Sequence, residues 1–100
     1  MTTTNKLEPV HPGEVLLVDF IDGFSITQNK LAVSIDVPPR RINEIVHGKR
    51  GISADTALRL ARFFGTSAQF WLNLQTQFDL DLADDRIAEQ LAAITPLQVA

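Results

Sequence analysis

The 100-residue chain is predicted to be all-α, a bundle of about five helices with a C-terminal extension. Three observations point there. Apolar residues recur three and four positions apart over most of the chain, the spacing of an amphipathic helix. Helix starts and stops are written in punctuating residues: Pro12, Pro38–Pro39, Ser53 and Ser67 at starts, and Gly23, Gly48 and Gly65 at ends. Period-two alternation, the strand signature, is confined to FDLDLADD at 78–85.

The first helix starts at Pro12, where a missing N–H costs nothing, and carries Leu17, Phe20, Ile21 and Phe24 as its apolar stripe. Gly23 ends it and leaves Phe24 as a closing contact. A second short helix runs from about Thr27 to Ile35. Val37 precedes a proline and is pushed toward extended backbone, so the third helix is a separate one, starting after Pro38–Pro39 and ending near Gly48. Ser53 caps the fourth, Asp55 sits in its first turn where the helix dipole favours an acid, and Gly65 follows its last turn. Ala57, Leu60, Ala61 and Phe64 form its buried stripe. Ser67 caps a fifth helix with Trp71, Leu74 and Phe78 on one side, and Phe70 and Trp71 read as core rather than as a binding cage. The alternating 78–85 stretch fits a strand or an extended connection, after which Ile87, Leu91 and Ile94 restore helical spacing until Pro96. These readings divide the chain into a flexible arm at 1–10, one domain at 11–78 and an extension at 79–100.

Composition removes several function classes. With no cysteine, disulfides, thiolate metal sites and a cysteine nucleophile are excluded. No apolar run reaches a membrane span and the first residues lack a signal-peptide core, so a cytoplasmic protein with no membrane partner is expected. No P-loop, HExxH or G-x-S-x-G occurs, so no enzymatic activity and no cofactor are expected. His11 has no second ligand near it in sequence. The Asp79, Asp81, Asp84 and Asp85 cluster lacks the glycine and glutamate of a calcium loop, so no metal is expected either. The net charge of −3 conceals a division: residues 27–62 hold seven basic against three acidic residues, whereas the remainder holds two against nine. That is either ordinary scatter or an anion-facing surface on an acidic body.

The segment PPRRINEIVHGKRGIS at 38–53 favours the second reading. Two short helices joined by a tight turn, the second with an exposed polar face, form a helix-turn-helix. Ala32 is the small residue needed where the helices cross. Asp36 stands at the bend where glycine is usual, and tolerates left-handed backbone better than most residues. Leu31, Ile35, Val37, Ile42 and Ile45 are the apolar anchors. Opposite them, Arg40, Asn43, Glu44 and His47 form a polar stripe at i, i+3, i+4 and i+7. Arginine grips guanine N7/O6 and asparagine grips adenine N6/N7 bidentately, each pair discriminating by roughly 1–3 kcal/mol. Glu44 either accepts from a cytosine amino group or orients Arg40 or Arg41. Thr27 and Gln28 at the second helix's start, and Lys49 and Arg50 beyond the third, are placed for phosphates. Pro39 and Arg41, at the leading end of the third helix, complete the candidate DNA contacts. Arg59 and Arg62 are expected to cover the fourth helix's exterior.

These residues resemble the helix-turn-helix of phage-repressor-like (Xre/Cro) regulators. HPGEVLL at 11–17, RINEIVHGKRGISADTALRLARFFGTS at 41–67 and FWLNLQ at 70–75 are more narrowly similar to the HigA-type antitoxin family. The resemblance implies a homodimer that binds double-stranded operator DNA and represses its own operon. It further implies a small basic toxin partner, similar to RelE-type messenger-RNA interferases, that the chain neutralises. Carried over by position, Arg40, Asn43, Glu44 and His47 face bases and Gln28 faces phosphate. Asp36 departs from the usual glycine, and Pro38 removes the phosphate contact that a capping Ser or Thr supplies. Two alternatives stand beside this reading: a stand-alone regulator without a toxin, and a protein-interaction module that has lost DNA reading.

Overall fold

A computed structural model describes residues 8–98, and every regular element among them is helical. α1 (Pro12–Val15) continues into a π-helical segment (Leu16–Asp22), followed by α2 (Gln28–Ile35), α3 (Pro39–Val46), α4 (Ala54–Phe64), α5 (Ala68–Arg86) and α6 (Ala88–Ala92). The expected arm at 1–10 lies outside the described residues except for 8–10, which form no regular structure.

Three of the starts follow from hydroxyl caps. The Thr27, Ser53 and Ser67 hydroxyl oxygens accept the N–H groups of Lys30, Thr56 and Phe70. Each satisfies one donor that a helix start leaves orphaned. α3 starts on Pro39 and has no side-chain cap. Both helix-turn-helix helices end in Schellman turns. Asp36 adopts φ 59°, ψ 53°, so that Val37 N–H reaches the Ala32 carbonyl and Asp36 N–H the Val33 carbonyl. Gly48, at φ 73°, lets Lys49 N–H reach the Glu44 carbonyl and Gly48 N–H that of Ile45.

The core lies between the helix-turn-helix pair and the α1, α4 and α5 layer. Leu16, Leu31, Ala32, Ile42, Ile45, Ala57, Leu60 and Trp71 are fully buried. Complete burial of Ile42 and Ile45 contributes about 1.5–3 kcal/mol each and fixes which side of α3 turns outward. Trp71 belongs to the core as expected, its indole N–H donating to Thr66 Oγ1 at 2.8 Å. Phe20 touches the rings of Phe64, Phe70 and Trp71, joining the first helix to α4 and α5.

Two expectations needed correction. The first helix does not bury a 3.6-residue stripe. Its π segment makes wider, i→i+5 turns, so the fully buried pair is Leu16 and Ile21, five apart. Leu17 and Phe20 are half-buried, and Phe24 is 61% exposed although stacked on Phe64. The 78–85 stretch is not extended either: α5 runs through it unbroken to Arg86. Gln75 and Gln77 bond to Asp79 and Asp81 one turn on, and Leu80 and Leu82 stay exposed. The alternation therefore records a solvated helix face rather than a pleat.

Candidate nucleic-acid interface

α3 presents its polar stripe to solvent because Ile42 and Ile45 anchor the other side. Pro39, Arg40, Asn43 and His47 are exposed, and the Arg40 side chain is 85% accessible. The Asn43 amide makes no hydrogen bond to a described residue, leaving both its donor and acceptor ends available. His47 Nδ1 lies 2.8 Å from the Asn43 carbonyl. A carbonyl only accepts, so Nδ1 is the donor in this bond.

Two carboxylates organise the arginines. Glu44 Oε2 takes Arg40 Nε at 3.0 Å, while Oε1 takes Arg50 Nε and Nη2, both at 2.9 Å. These bonds, that of Arg50 above all, hold the Glu44 carboxyl below the usual carboxylate range. Asp55, in the first turn of α4, takes Arg59 Nε at 3.0 Å and Arg41 Nη1 at 2.9 Å. Its carboxyl is likewise held low, by Arg59 first and then Arg41.

The candidate contacts therefore separate. Arg41 leans back onto α4 with a side chain only 29% exposed, away from Arg40, Asn43, Glu44 and His47. Arg59 uses its other edge to bond the carbonyls of Ile35 and Asp36, closing the C-terminal end of α2. Arg50, placed by sequence among the phosphate contacts, is folded back beside Arg40. Lys49 is exposed and forms no ion pair with a described residue. Thr27 and Gln28 stand at the α2 N-terminus, where the Thr27 oxygen already accepts Lys30 N–H and its hydroxyl proton remains free to donate.

Known proteins are similar to this chain in sequence and fold. A helix-turn-helix family model matches residues 24–71. The "Virulence-associated protein I" of Dichelobacter nodosus is 49% identical over 80 residues, 80% of this chain and 74% of that protein. "Antitoxin HigA-1" of Vibrio cholerae is 33% identical over 95 residues, 95% of this chain and 90% of that one. The Pseudomonas aeruginosa antitoxin HigA, solved with the higBA promoter, superposes with a TM-score of 0.86 at 45% identity. That match covers 90% of this chain and 99% of the other. The chain belongs to the HigA-type antitoxin family.

In this HigA-type chain, three supports behind the polar face of α3 were not singled out by sequence. Gln75 on α5 accepts the Ile52 N–H at 2.7 Å and pins the loop that carries Lys49 and Arg50. His11 Nδ1 accepts the Gly13 N–H at 2.8 Å, capping α1, and the ring packs edge-on against Phe78 at 4.8 Å. Burial lowers the His11 pKa, against the opposing pull of Asp79 and Glu14. Gly13 is the third: a Cβ there would lie 1.8 Å from the Ile45 carbonyl oxygen, so α1 rests directly on the α3 backbone. Only glycine between two helical residues hinted at this closeness. Among the described residues no three His, Asp or Glu side chains converge on a metal-sized site, and no helix is long and apolar enough to cross a membrane.

Proposed function

We propose that the chain is a sequence-specific DNA-binding repressor and the antitoxin of a toxin–antitoxin pair, acting as a homodimer on the operator of its own operon. The observation that carries the reading is the α3 stripe of exposed Arg40, Asn43 and His47 with half-buried Glu44 among them, backed by fully buried Ile42 and Ile45. An α-helix fits the major groove, and these side chains carry donors and acceptors that base edges complement. Pro39 lies at the leading end of that helix. Thr27, Gln28 and Lys49 flank it as candidate phosphate contacts, while Arg50 is held back by Glu44, and Arg41, held by Asp55, contributes by bracing α3. Family membership supports the antitoxin role and, with it, a small basic toxin of the RelE-like interferase class. A homodimer is supported by the exposed apolar side chains of Ile87, just before α6, and of Leu91, Ile94 and Leu97 on and after it, which a monomer leaves in water.

Titrating the purified chain onto the DNA immediately upstream of its own gene tests this. Binding should protect a palindrome with half-site centres about 34 Å apart and should weaken steeply as salt rises. Affinity no better than for a scrambled duplex at low salt would refute it. A protein-interaction module without DNA reading would show that flat response while still co-purifying with a neighbouring basic protein.

A further inference from the structure

Glu44 is the one acid on the α3 reading face, and its geometry gives it a function beyond neutralising charge. Its oxygens are divided between two arginines from different elements: Arg40 one helical turn earlier on α3, and Arg50 from the loop beyond the Gly48 turn. Oε1 is filled by two N–H donors and Oε2 takes one, so both oxygens are engaged by the chain's own arginines before any base is met.

The bond to Arg40 uses Nε alone, at 3.0 Å. A guanidinium has five N–H donors in a rigid fork, so an Nε tether leaves the Nη1/Nη2 edge facing outward, the edge that takes guanine N7 and O6 end-on. Arg50 is held differently, side-on through Nε and Nη2, both 2.9 Å from the same carboxylate oxygen. Half of its fork is committed to Glu44, so this cation stays back unless something stronger than the carboxylate draws it off.

We infer that Glu44 is the positioning residue that sets sequence discrimination: it presents the Arg40 fork to guanine and withholds Arg40 and Arg50 from indiscriminate phosphate binding. The inference rests on the operator-reading function proposed above. On non-cognate DNA the two arginines gain phosphate contacts only by leaving a carboxylate that already satisfies them, and that carboxylate itself repels the backbone. On a cognate site Arg40 reaches guanine without leaving Glu44. Discrimination thus arises partly from a repulsive group, in addition to attractive contacts. The low pKa of Glu44 keeps the bridge charged at neutral pH.

Glu44→Gln and Glu44→Ala separate this role from a merely structural one. Affinities are measured across a salt series for the duplex upstream of the chain's gene and for a scrambled duplex of equal length. Both variants should bind the scrambled duplex more tightly than wild type, with a salt slope steeper by about one, the signature of one more phosphate neutralised. The ratio of upstream to scrambled affinity should fall about tenfold, within what one bidentate contact discriminates. Arg40→Ala should lose the same ratio, and Glu44→Gln added to it should lose little more. Equal weakening on both duplexes would reduce Glu44 to a fold contact, and a loss confined to changes at one cytosine would make it a base reader. Either result overturns the inference. If wild type itself fails to distinguish the two duplexes, the operator-reading function falls, and this inference with it.

Discussion

Arg40 and Lys49 carry the same charge, yet their settings give them different duties. Arg40 is tethered at Nε and aimed, whereas Lys49 stands exposed beyond the helix with no ion pair to a described residue. Arg40→Ala should relax base preference at one operator position by roughly 1–3 kcal/mol, read as a loss of discrimination among operators mutated base by base. Lys49→Ala should weaken binding to every duplex alike and reduce the salt slope by about one. Matching profiles for the two variants would contradict the assignment. His11 gives a second test at this scale. Its Nδ1 must be unprotonated to accept the Gly13 N–H, and burial pushes its pKa below the ordinary value of about 6.5. The unfolded chain therefore binds that proton more readily, and stability should fall as pH drops through about 6.5 toward the folded-state value. Urea titrations at pH 7.5 and 5.5 check this. His11→Ala should be less stable at pH 7.5, by about the 0.5–2 kcal/mol of a lost cap, and should lose less than wild type on acidification. The polar stripe of α3 was legible because helical spacing alone places Arg40, Asn43, Glu44 and His47 together. The retreat of Arg41 was not, because its partner Asp55 lies fourteen residues away and only the packing of α4 brings the two within 2.9 Å.

At the scale of elements, the sequence disclosed starts and stops better than turn geometry. The Ser53 and Ser67 caps, the Gly65 end and the break before Pro38 all occur where local chemistry predicts them, because caps and proline sterics act within a few residues. Asp36 takes the left-handed conformation that its position required of a glycine. The π segment stayed hidden because a hydrophobic pattern presupposes a period, and 3.6 placed Leu17 inside where the structure buries Leu16. Period two in 78–85 misled for a related reason, since beyond Phe78, which packs on His11, Leu80 and Leu82 stay in water and no apolar stripe is forced. Close approach of backbones is equally silent in sequence. Gly13→Ala would drive a Cβ into the Ile45 carbonyl, and α1 would have to lift from α3. Overpacking of this kind costs about 1–3 kcal/mol. Thermal unfolding should register a drop on the order of 5–20 °C. Operator affinity should suffer as well, since α1 backs the helix proposed to read the operator. A variant with unchanged Tm would mean that α1 does not press on α3.

The whole molecule is elongated, 55 × 34 × 22 Å, which suits two tasks carried at separate places. Its cations are concentrated between residues 27 and 62, on and around the helix-turn-helix, whereas both flanking regions are acidic. Phosphate attracts the first region and repels the others, so charge alone orients the chain on a duplex. The flanking region beyond α5 leaves a run of large apolar side chains in water: Leu91 and Ile94 are 41% and 65% exposed, and Leu97 is 89% exposed. A monomer gains nothing from that arrangement, while a two-fold pair burying those side chains against one another would fix the separation of its two α3 helices. Leu91→Asp combined with Ile94→Asp adds charge to a surface that makes few contacts with the core, so the monomer fold should survive in circular dichroism. Sedimentation should move from dimer to monomer mass. Operator binding should then weaken at least tenfold and lose its preference for two half-sites over one, because each α3 would bind without its partner's contribution. A double variant that still sediments as a dimer would place the pairing surface elsewhere and leave the exposed tail apolar for another reason.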